Sequence, residues 1–110
     1  MNAYLALGIA IVAEVVATSA LKASDGFSRA IPALIVITGY SVAFYCMSLA
    51  LKTVPVGIAY AIWCGLGMAL ISLAAFVLYG QKINFPGWIG IALILCGVVV
   101  LIVFASPPAD

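Results

Sequence analysis

The residue with the clearest capacity for chemistry is Glu14, an acid inside an apolar segment that runs from residue 4 to residue 21. It lies about two residues, or about 3 Å at the rise of an α-helix, from the middle of that segment. At this depth in a bilayer, a charge costs on the order of 3 kcal/mol. All 4 Lys and Arg residues lie outside the apolar segments. Only a proton or a bound cation can therefore neutralise this carboxylate.

Aromatic side chains form the second group of interest. Tyr40 and Phe44 share one helical face, and Tyr60 and Trp63 share another, because residues three or four apart are neighbours on a helix. Trp and Tyr usually lie at the membrane–water interface, whereas Tyr40 and Trp63 fall deep in their segments. Each could simply pack against a neighbouring helix. Since aromatic faces attract quaternary ammonium groups, an acid beside aromatic walls predicts a site for a hydrophobic cation.

Small and apolar residues surround the acid on its own helical face. These neighbours are Leu7, Ala10, Ile11, Ala17, Thr18 and Leu21. Small residues allow another helix or a ligand to approach closely. We expect no metal site, because one carboxylate supplies too few oxygen ligands, and no cofactor, because the sequence has no Gly-rich loop to bind a nucleotide phosphate. The three cysteines are not at metal-ligand spacing and are predicted to be buried packing residues: Cys46, Cys64 and Cys96.

These residues are positioned by four apolar segments, each close to the length of about 20 residues that spans a bilayer. The segments cover residues 4–21, 31–51, 56–79 and 87–105. With 68% apolar and only 6% charged residues, against roughly 25% charged in soluble domains, the 110 residues predict an all-α fold with one integral membrane domain, residues 1–110. This composition excludes a nucleic-acid-binding surface, and with no histidine we expect no enzyme.

Basic residues are unevenly distributed between the two sides of the membrane. Lys22, Arg29 and Lys82 lie on one side, and Lys52 lies on the other with the amino terminus. This weak bias under the positive-inside rule is compatible with insertion in both directions. One deep carboxylate on four helices also predicts an oligomer. A residue near the midplane meets its twin in either a parallel or an antiparallel pair.

Glycines mark two further features of the third and fourth segments. Gly65 and Gly67 fall in the middle of the third, where glycine weakens a helix and favours a hinge. In the fourth, Gly90 and Gly97 are seven residues apart on an apolar stripe. This spacing is typical of a close helix–helix contact and predicts a dimer contact, with simple packing as the alternative.

Three stretches of the chain carry a family resemblance that extends from Met1 to about Ala105. They are Ala13-Glu14-Val15, the block at residues 57–63 (GIAYAIW) and the block at residues 90–98 (GIALILCGV). The chain resembles the small multidrug resistance transporters, in the branch that handles quaternary ammonium compounds. The resemblance implies an antiparallel homodimer of dual topology in the bacterial inner membrane. It also implies that the protein exchanges protons for lipophilic aromatic or quaternary cations.

The resemblance also implies roles for individual residues. Glu14 would bind both the proton and the drug. The lining positions implied are Tyr60, Trp63, Tyr40 and Tyr4, with Ala10, Ile11, Ala17 and Thr18 forming the face around the acid. The glycines at 65 and 67 would form a kink, and those at 90 and 97 a dimer contact. Two alternatives remain open: an exporter of guanidinium or polyamines on the same fold, and a membrane subunit that does not transport.

Overall fold

The computed structural model describes residues 2–104 and contains four α-helices joined by short loops. Helix α1 spans Ala3–Ala23, α2 spans Ala30–Ala50, α3 spans Val56–Tyr79 and α4 spans Phe85–Phe104. Each is long and apolar enough to cross a membrane, and none of the described residues is in a strand. The all-α prediction with four spans is confirmed. The predicted end of the fourth span, residue 105, lies outside the described residues, as do residues 106–110.

Asparagine caps determine where two helices begin. The side-chain oxygen of Asn2 accepts a hydrogen bond from the backbone N–H of Tyr4 at 2.8 Å. The side-chain oxygen of Asn84 accepts one from the backbone N–H of Gly87 at 3.0 Å. Asparagine is among the preferred residues at this position, because it satisfies an N–H group that has no partner within the helix. Helices α1 and α4 therefore start slightly before the predicted residues 4 and 87.

The turn between α1 and α2 is held by a buried serine. The Ser24 hydroxyl donates to the carbonyl of Leu21 at 2.7 Å and accepts from the N–H of Phe27 at 3.1 Å. The three residues after this serine have positive φ angles of 48°, 70° and 66°, at Asp25, Gly26 and Phe27. Glycine adopts this left-handed region freely and aspartate tolerates it. The chain thus reverses within a few residues, and α2 returns alongside α1.

Helix α1 is central, since it packs against both α2 and α3. Its contact with α2 is the most extensive and depends on small residues. A Cβ atom added to Gly39 would lie 2.8 Å from the Cβ of Ala17 and 3.1 Å from the carbonyl oxygen of Ala13. The two backbones are therefore in near contact, as is common for small residues at helix interfaces in membranes.

A polar contact fixes the end of α3 to α1. The Tyr79 hydroxyl donates to the backbone carbonyl of Ser19 at 2.7 Å, and the Lys22 ammonium lies 5.4 Å from the centre of the Tyr79 ring. Gly80 then ends α3 in the left-handed conformation, at φ 65°. Glycine is the usual residue at such a helix end.

Helix α4 packs mainly on α3 and leaves most of its surface open. The contact centres on Gly65, where an added Cβ would overlap Val98 and lie 3.2 Å from Cγ2 of Ile94. A Cβ at Gly90 or Gly97 would meet no atom within 4 Å. The space beside these two glycines is therefore open in the described protomer, and their role in a dimer stays a prediction.

Candidate functional site

A cavity of about 440 Å³ lies between α1, α2 and α3, and Glu14 is half-buried in its wall. The volume is within the range of about 300–1,000 Å³ that is usual for small-molecule sites. Helix α1 contributes the acid, α2 contributes two aromatic rings, and α3 contributes the rest of the lining. The lining residues are Glu14, Tyr40, Phe44, Tyr60, Trp63, Cys64, Gly67, Met68 and Ile71.

The two oxygens of the Glu14 carboxylate have different surroundings. Oε1 accepts a hydrogen bond from the Thr18 hydroxyl, one helical turn away, at 2.8 Å. Oε2 lies toward Gly67 of α3, where an added Cβ would be 3.5 Å from it. Among residues 2–104, no Lys or Arg lines the cavity. One oxygen is thus held by the helix, while the other has room for a ligand and no cationic partner.

The Thr18 hydroxyl also links the acid to α2. Its oxygen lies 2.6 Å from the Tyr40 hydroxyl, which is 22 residues away in the sequence. A threonine hydroxyl has a single proton. Since that proton is donated to Glu14, the Tyr40 hydroxyl is the donor in the second hydrogen bond. The carboxylate is therefore at the end of a hydrogen-bond chain that begins in the opposite wall of the cavity.

Four aromatic rings form a continuous wall from α2 to α3. Tyr40 stacks on Phe44 with ring centres 6.2 Å apart. Phe44 meets Trp63 edge to face at 5.7 Å, and Trp63 meets Tyr60 edge to face at 6.4 Å. Phe44 and Tyr60 are 59% and 60% exposed in the protomer. These rings therefore have open faces, and each open aromatic face can attract a cation.

The structure brings together most, but not all, of the residues expected at the site. Glu14, Thr18 and the four aromatic residues of the wall are gathered around the cavity. Three predicted lining residues are instead buried in helix packing and are absent from the cavity lining: Ala10, Ile11 and Ala17. Tyr4 lies on a separate exposed surface of α1, about 15 Å along the helix from the acid.

The predicted hinge residues lie in an unbroken helix. Helix α3 continues through Gly65 and Gly67 to Tyr79, and both glycines are buried. Gly65 allows α4 to approach, and Gly67 leaves space beside the carboxylate. Close contact with α4 thus gives a physical reason for glycine at position 65, whereas a Cβ at position 67 would meet its neighbours at ordinary van der Waals distances. The hinge stays a prediction.

Sequence reasoning missed three residues of the α3 wall: Cys64, Met68 and Ile71. They lie four, eight and eleven residues after Tyr60. Extending the predicted face of Tyr60 and Trp63 by helical spacing would have found them. The prediction that all cysteines are buried is correct for Cys46 and wrong for Cys64 and Cys96, which are exposed. The first of these two lines the cavity, and the second lies on the open surface of α4.

Comparison with known proteins gives a consistent family. The model of the Small Multidrug Resistance protein family matches residues 2–94. The chain is 54% identical to quaternary ammonium compound-resistance protein QacE of Escherichia coli over 101 residues, which are 92% of each chain. Identity to QacF of Klebsiella aerogenes is 52% over 101 residues, again 92% of each chain. Identity to the multidrug transporter EmrE of Escherichia coli (strain K12) is 44% over 101 residues, also 92% of each.

These relatives are named as transporters and resistance proteins rather than as enzymes. The match covers well over half of the chain, including α1, α2 and α3, whose side chains form the cavity. The described helices agree with it, since all four are apolar and long enough to cross a membrane. The chain is therefore a multi-pass protein of the bacterial inner membrane and a member of the Small Multidrug Resistance family.

Proposed function

We propose that the protein exports lipophilic aromatic and quaternary ammonium cations in exchange for protons, and that cation and proton compete for Glu14. The observation that carries this proposal is the position of Oε2, which faces an aromatic cavity without a Lys or Arg among its described lining residues. The names of QacE and QacF refer to resistance to quaternary ammonium compounds. They support this class of cation for the present chain.

Competition at Glu14 follows from the cost of charge in a membrane. An unpaired carboxylate at this depth is unfavourable, and either a proton or a cation removes the excess charge. A protonated acid no longer attracts the cation, so each ligand displaces the other. If binding one cation releases one proton, its affinity changes about tenfold per pH unit, or about 1.4 kcal/mol. Reciprocal linkage of this kind couples a proton gradient to cation export.

The aromatic wall supports a preference for lipophilic cations. Contact between a cation and an aromatic face is worth about 0.5–2 kcal/mol, and more as the site loses water. The rings of Phe44 and Tyr60 are more than half exposed and can cover a flat or rounded ligand. Since such contacts are weakly directional, the wall can accept cations of different shape. A guanidinium exporter would instead need hydrogen-bond acceptors arranged around a small planar ion.

We place the site in an antiparallel homodimer with dual topology. Glu14 is near the middle of α1, which spans Ala3–Ala23, so inverting one copy about the midplane changes its depth by only about 3 Å. The open surface of α4 offers an apolar face for the partner. In such a dimer, the inward-open and outward-open forms are related by exchange of the two copies.

The test is proton release from protein purified in detergent when tetraphenylphosphonium is added at a series of pH values. We expect release of protons near neutral pH and an affinity that decreases as the pH decreases. Glu14→Gln keeps the shape of the side chain but has no ionisable group, and should abolish both effects. Asp25→Asn is the matched control, because Asp25 is an exposed acid in the α1–α2 turn.

Three outcomes would contradict this function. One is unchanged pH dependence of tetraphenylphosphonium binding in Glu14→Gln, which would place the competing proton elsewhere. Another is transport of guanidinium in preference to tetraphenylphosphonium in proteoliposomes with an imposed pH gradient. The second result would support the alternative exporter on the same fold. Equal losses in Asp25→Asn and Glu14→Gln would also contradict a specific role for the membrane acid.

A further inference from the structure

We propose that Thr18 and Tyr40 form a reversible hydrogen-bond chain that transmits the protonation state of Glu14 to the α2 wall of the cavity. The inference rests on the proposed competition between proton and cation at this acid. It adds two positioning residues and a physical link between the acid and the ligand-facing wall. The link consists of two contacts, 2.8 Å from Thr18 to Glu14 and 2.6 Å from Thr18 to Tyr40.

The direction of the chain depends on the charge of the acid. A carboxylate can only accept hydrogen bonds, so Thr18 donates to it and Tyr40 donates to Thr18. A protonated acid can itself donate to Thr18, whose single proton then turns to the oxygen of Tyr40. No covalent bond breaks in this change, because each hydroxyl only rotates. The Tyr40 O–H is released from α1 and becomes free to point into the cavity.

This reversal gives proton binding a second effect on the cation. Tyr40 lines the same cavity and stacks on Phe44. When its O–H points into the cavity, the positive end of that dipole faces the place where a cation would bind. Protonation would thus remove the attraction of the carboxylate and add a repulsive dipole in the opposite wall. The reverse change, on deprotonation, would restore both.

Few other titratable groups face the acid. From α2 the group is Tyr40 itself, and from α3 the groups are Tyr60 and Cys64, which line the cavity. None of the charged residues at positions 22, 25, 29, 52 and 82 lines this cavity. Helix α4 packs on α3 and contributes no residue to the cavity lining within residues 2–104. The chain through Thr18 is therefore the hydrogen-bonded route from the acid to α2 in the described structure.

The experiment measures tetraphenylphosphonium affinity from pH 5 to pH 9 for matched variants of the full chain. Thr18→Val removes the donor to the carboxylate. Hydrogen bonds to a charged group are about twice as strong as those to a neutral one. The substitution therefore destabilises the ionised form of Glu14 more than the protonated form. We expect the midpoint of the pH profile to move upward by about 0.5–1 unit. The affinity for tetraphenylphosphonium at high pH should change less than its affinity at the pH of the midpoint.

Tyr40→Phe keeps the ring and its stacking on Phe44 but removes the distal hydroxyl. We expect a smaller upward shift of the midpoint, because only the cooperative part of the chain is lost. The double variant should shift no further than Thr18→Val alone, since Tyr40 acts through Thr18. Such non-additivity is the signature of groups in one network. Thr18→Ser retains the hydroxyl and should restore the wild-type profile.

Control variants remove a threonine hydroxyl and a tyrosine hydroxyl that are not part of the hydrogen-bond chain. Thr38 and Tyr45 are exposed on α2 and do not line the cavity. Thr38→Val and Tyr45→Phe should leave the midpoint unchanged. Should Thr18→Val fail to fold, Thr18→Ala removes the same hydroxyl without adding bulk. Infrared difference spectra with ring-labelled tyrosine provide an independent readout: the phenol band of Tyr40 should change with pH in the wild type and stay constant in Glu14→Gln.

Three results would contradict the hydrogen-bond chain without contradicting the proposed exchange of cations for protons. They are an unchanged midpoint in Thr18→Val and Thr18→Ala, additive shifts in the double variant, and a pH-independent phenol band in a wild type that still releases protons. A purely ligand-lining role for Tyr40 would lower the affinity at high pH and leave the midpoint in place. Wild-type protein without any pH-dependent binding would instead contradict the competition at Glu14 itself.

Discussion

Alanine at Gly67 and alanine at Gly65 should have different consequences, although the two positions are only two residues apart in α3, because Gly67 faces the cavity and Gly65 faces α4. At Gly67 an added Cβ would lie 3.5 Å from Oε2 of Glu14 and 3.7 Å from Cδ1 of Trp63. Both are ordinary van der Waals distances. Gly67→Ala therefore fits without a clash, but places a methyl group against the open oxygen of the carboxylate.

The magnitudes for Gly67→Ala follow from these two distances. Alanine is favoured over glycine inside a helix by about 0.8–1 kcal/mol, so the free energy of unfolding should stay the same or increase. A hydrogen bond to a charged group is worth about 1.5–3 kcal/mol, which gives the order of magnitude for the attraction between this carboxylate and a bound cation. Covering one side of Oε2 should therefore weaken tetraphenylphosphonium binding by about tenfold or more.

At Gly65 the added Cβ would overlap Val98 and lie 3.2 Å from Cγ2 of Ile94. Overpacking of this kind costs about 1–3 kcal/mol, which the higher helix propensity of alanine offsets by about 1 kcal/mol. We expect Gly65→Ala to lower the free energy of unfolding by up to about 2 kcal/mol. Cation affinity at high pH should change by less than about twofold, because Gly65 does not line the cavity.

The assay combines calorimetric binding of tetraphenylphosphonium at pH 9 with unfolding of the same samples by increasing mole fraction of SDS. A hinge at these glycines predicts a different result, namely slower transport in both variants with unchanged affinity. Wild-type affinity in Gly67→Ala together with wild-type stability in Gly65→Ala would refute the reasoning from close contacts.

Three other residues give independent predictions. Trp63→Phe should retain proton release and lower the affinity for aromatic cations about three- to tenfold, since Trp is the best cation–π partner; unchanged affinity for every aromatic cation tested would contradict the aromatic wall. Tyr79→Phe removes the donor to the Ser19 carbonyl and should lower the free energy of unfolding by about 1 kcal/mol without changing cation affinity; a matching loss of binding would link this contact to the site. A maleimide should label Cys64, because this thiol is exposed in the cavity wall, and bound tetraphenylphosphonium should slow that labelling. Mass spectrometry of the labelled peptide measures the labelling rate with and without tetraphenylphosphonium. Equal rates would place the cation elsewhere.

Much of the fold could be predicted because the bilayer imposes a strict length on an apolar helix. The segment without charge at residues 56–79 coincides with α3. The ends of α1 and α4 were less accurate, since local caps at Asn2 and Asn84 fix them. Hydropathy does not register such caps, because they depend on one side-chain oxygen and one backbone N–H group.

The site was predicted within each helix more reliably than between helices. Helical spacing placed Tyr60 beside Trp63 and Tyr40 beside Phe44, and these pairs are in contact. Spacing gives no information on which faces of two helices meet. The contact between Thr18 and Tyr40 joins residues 22 positions apart and became visible only with the crossing of α1 and α2.

The same limit explains the residues placed at the acid that are buried elsewhere. Ala17 is on the Glu14 side of α1 by spacing, yet it packs against Gly39 of α2. Ala10 and Ile11 are likewise buried in packing. Where two helices cross, each buries a wide part of the circumference of the other. A second helix approaches most closely at the small residues on that buried surface.

Helix α3 packs against both α1, which carries Glu14, and α4. One of its glycines borders the Glu14 carboxylate, and another, two positions earlier, holds Val98 of α4. A rotation of α3 that enlarged the space beside the acid would therefore displace α4 at the same time. If α4 forms the boundary with a second copy, occupancy of one cavity is communicated to the neighbouring subunit through a segment of α3 only about half a helical turn long.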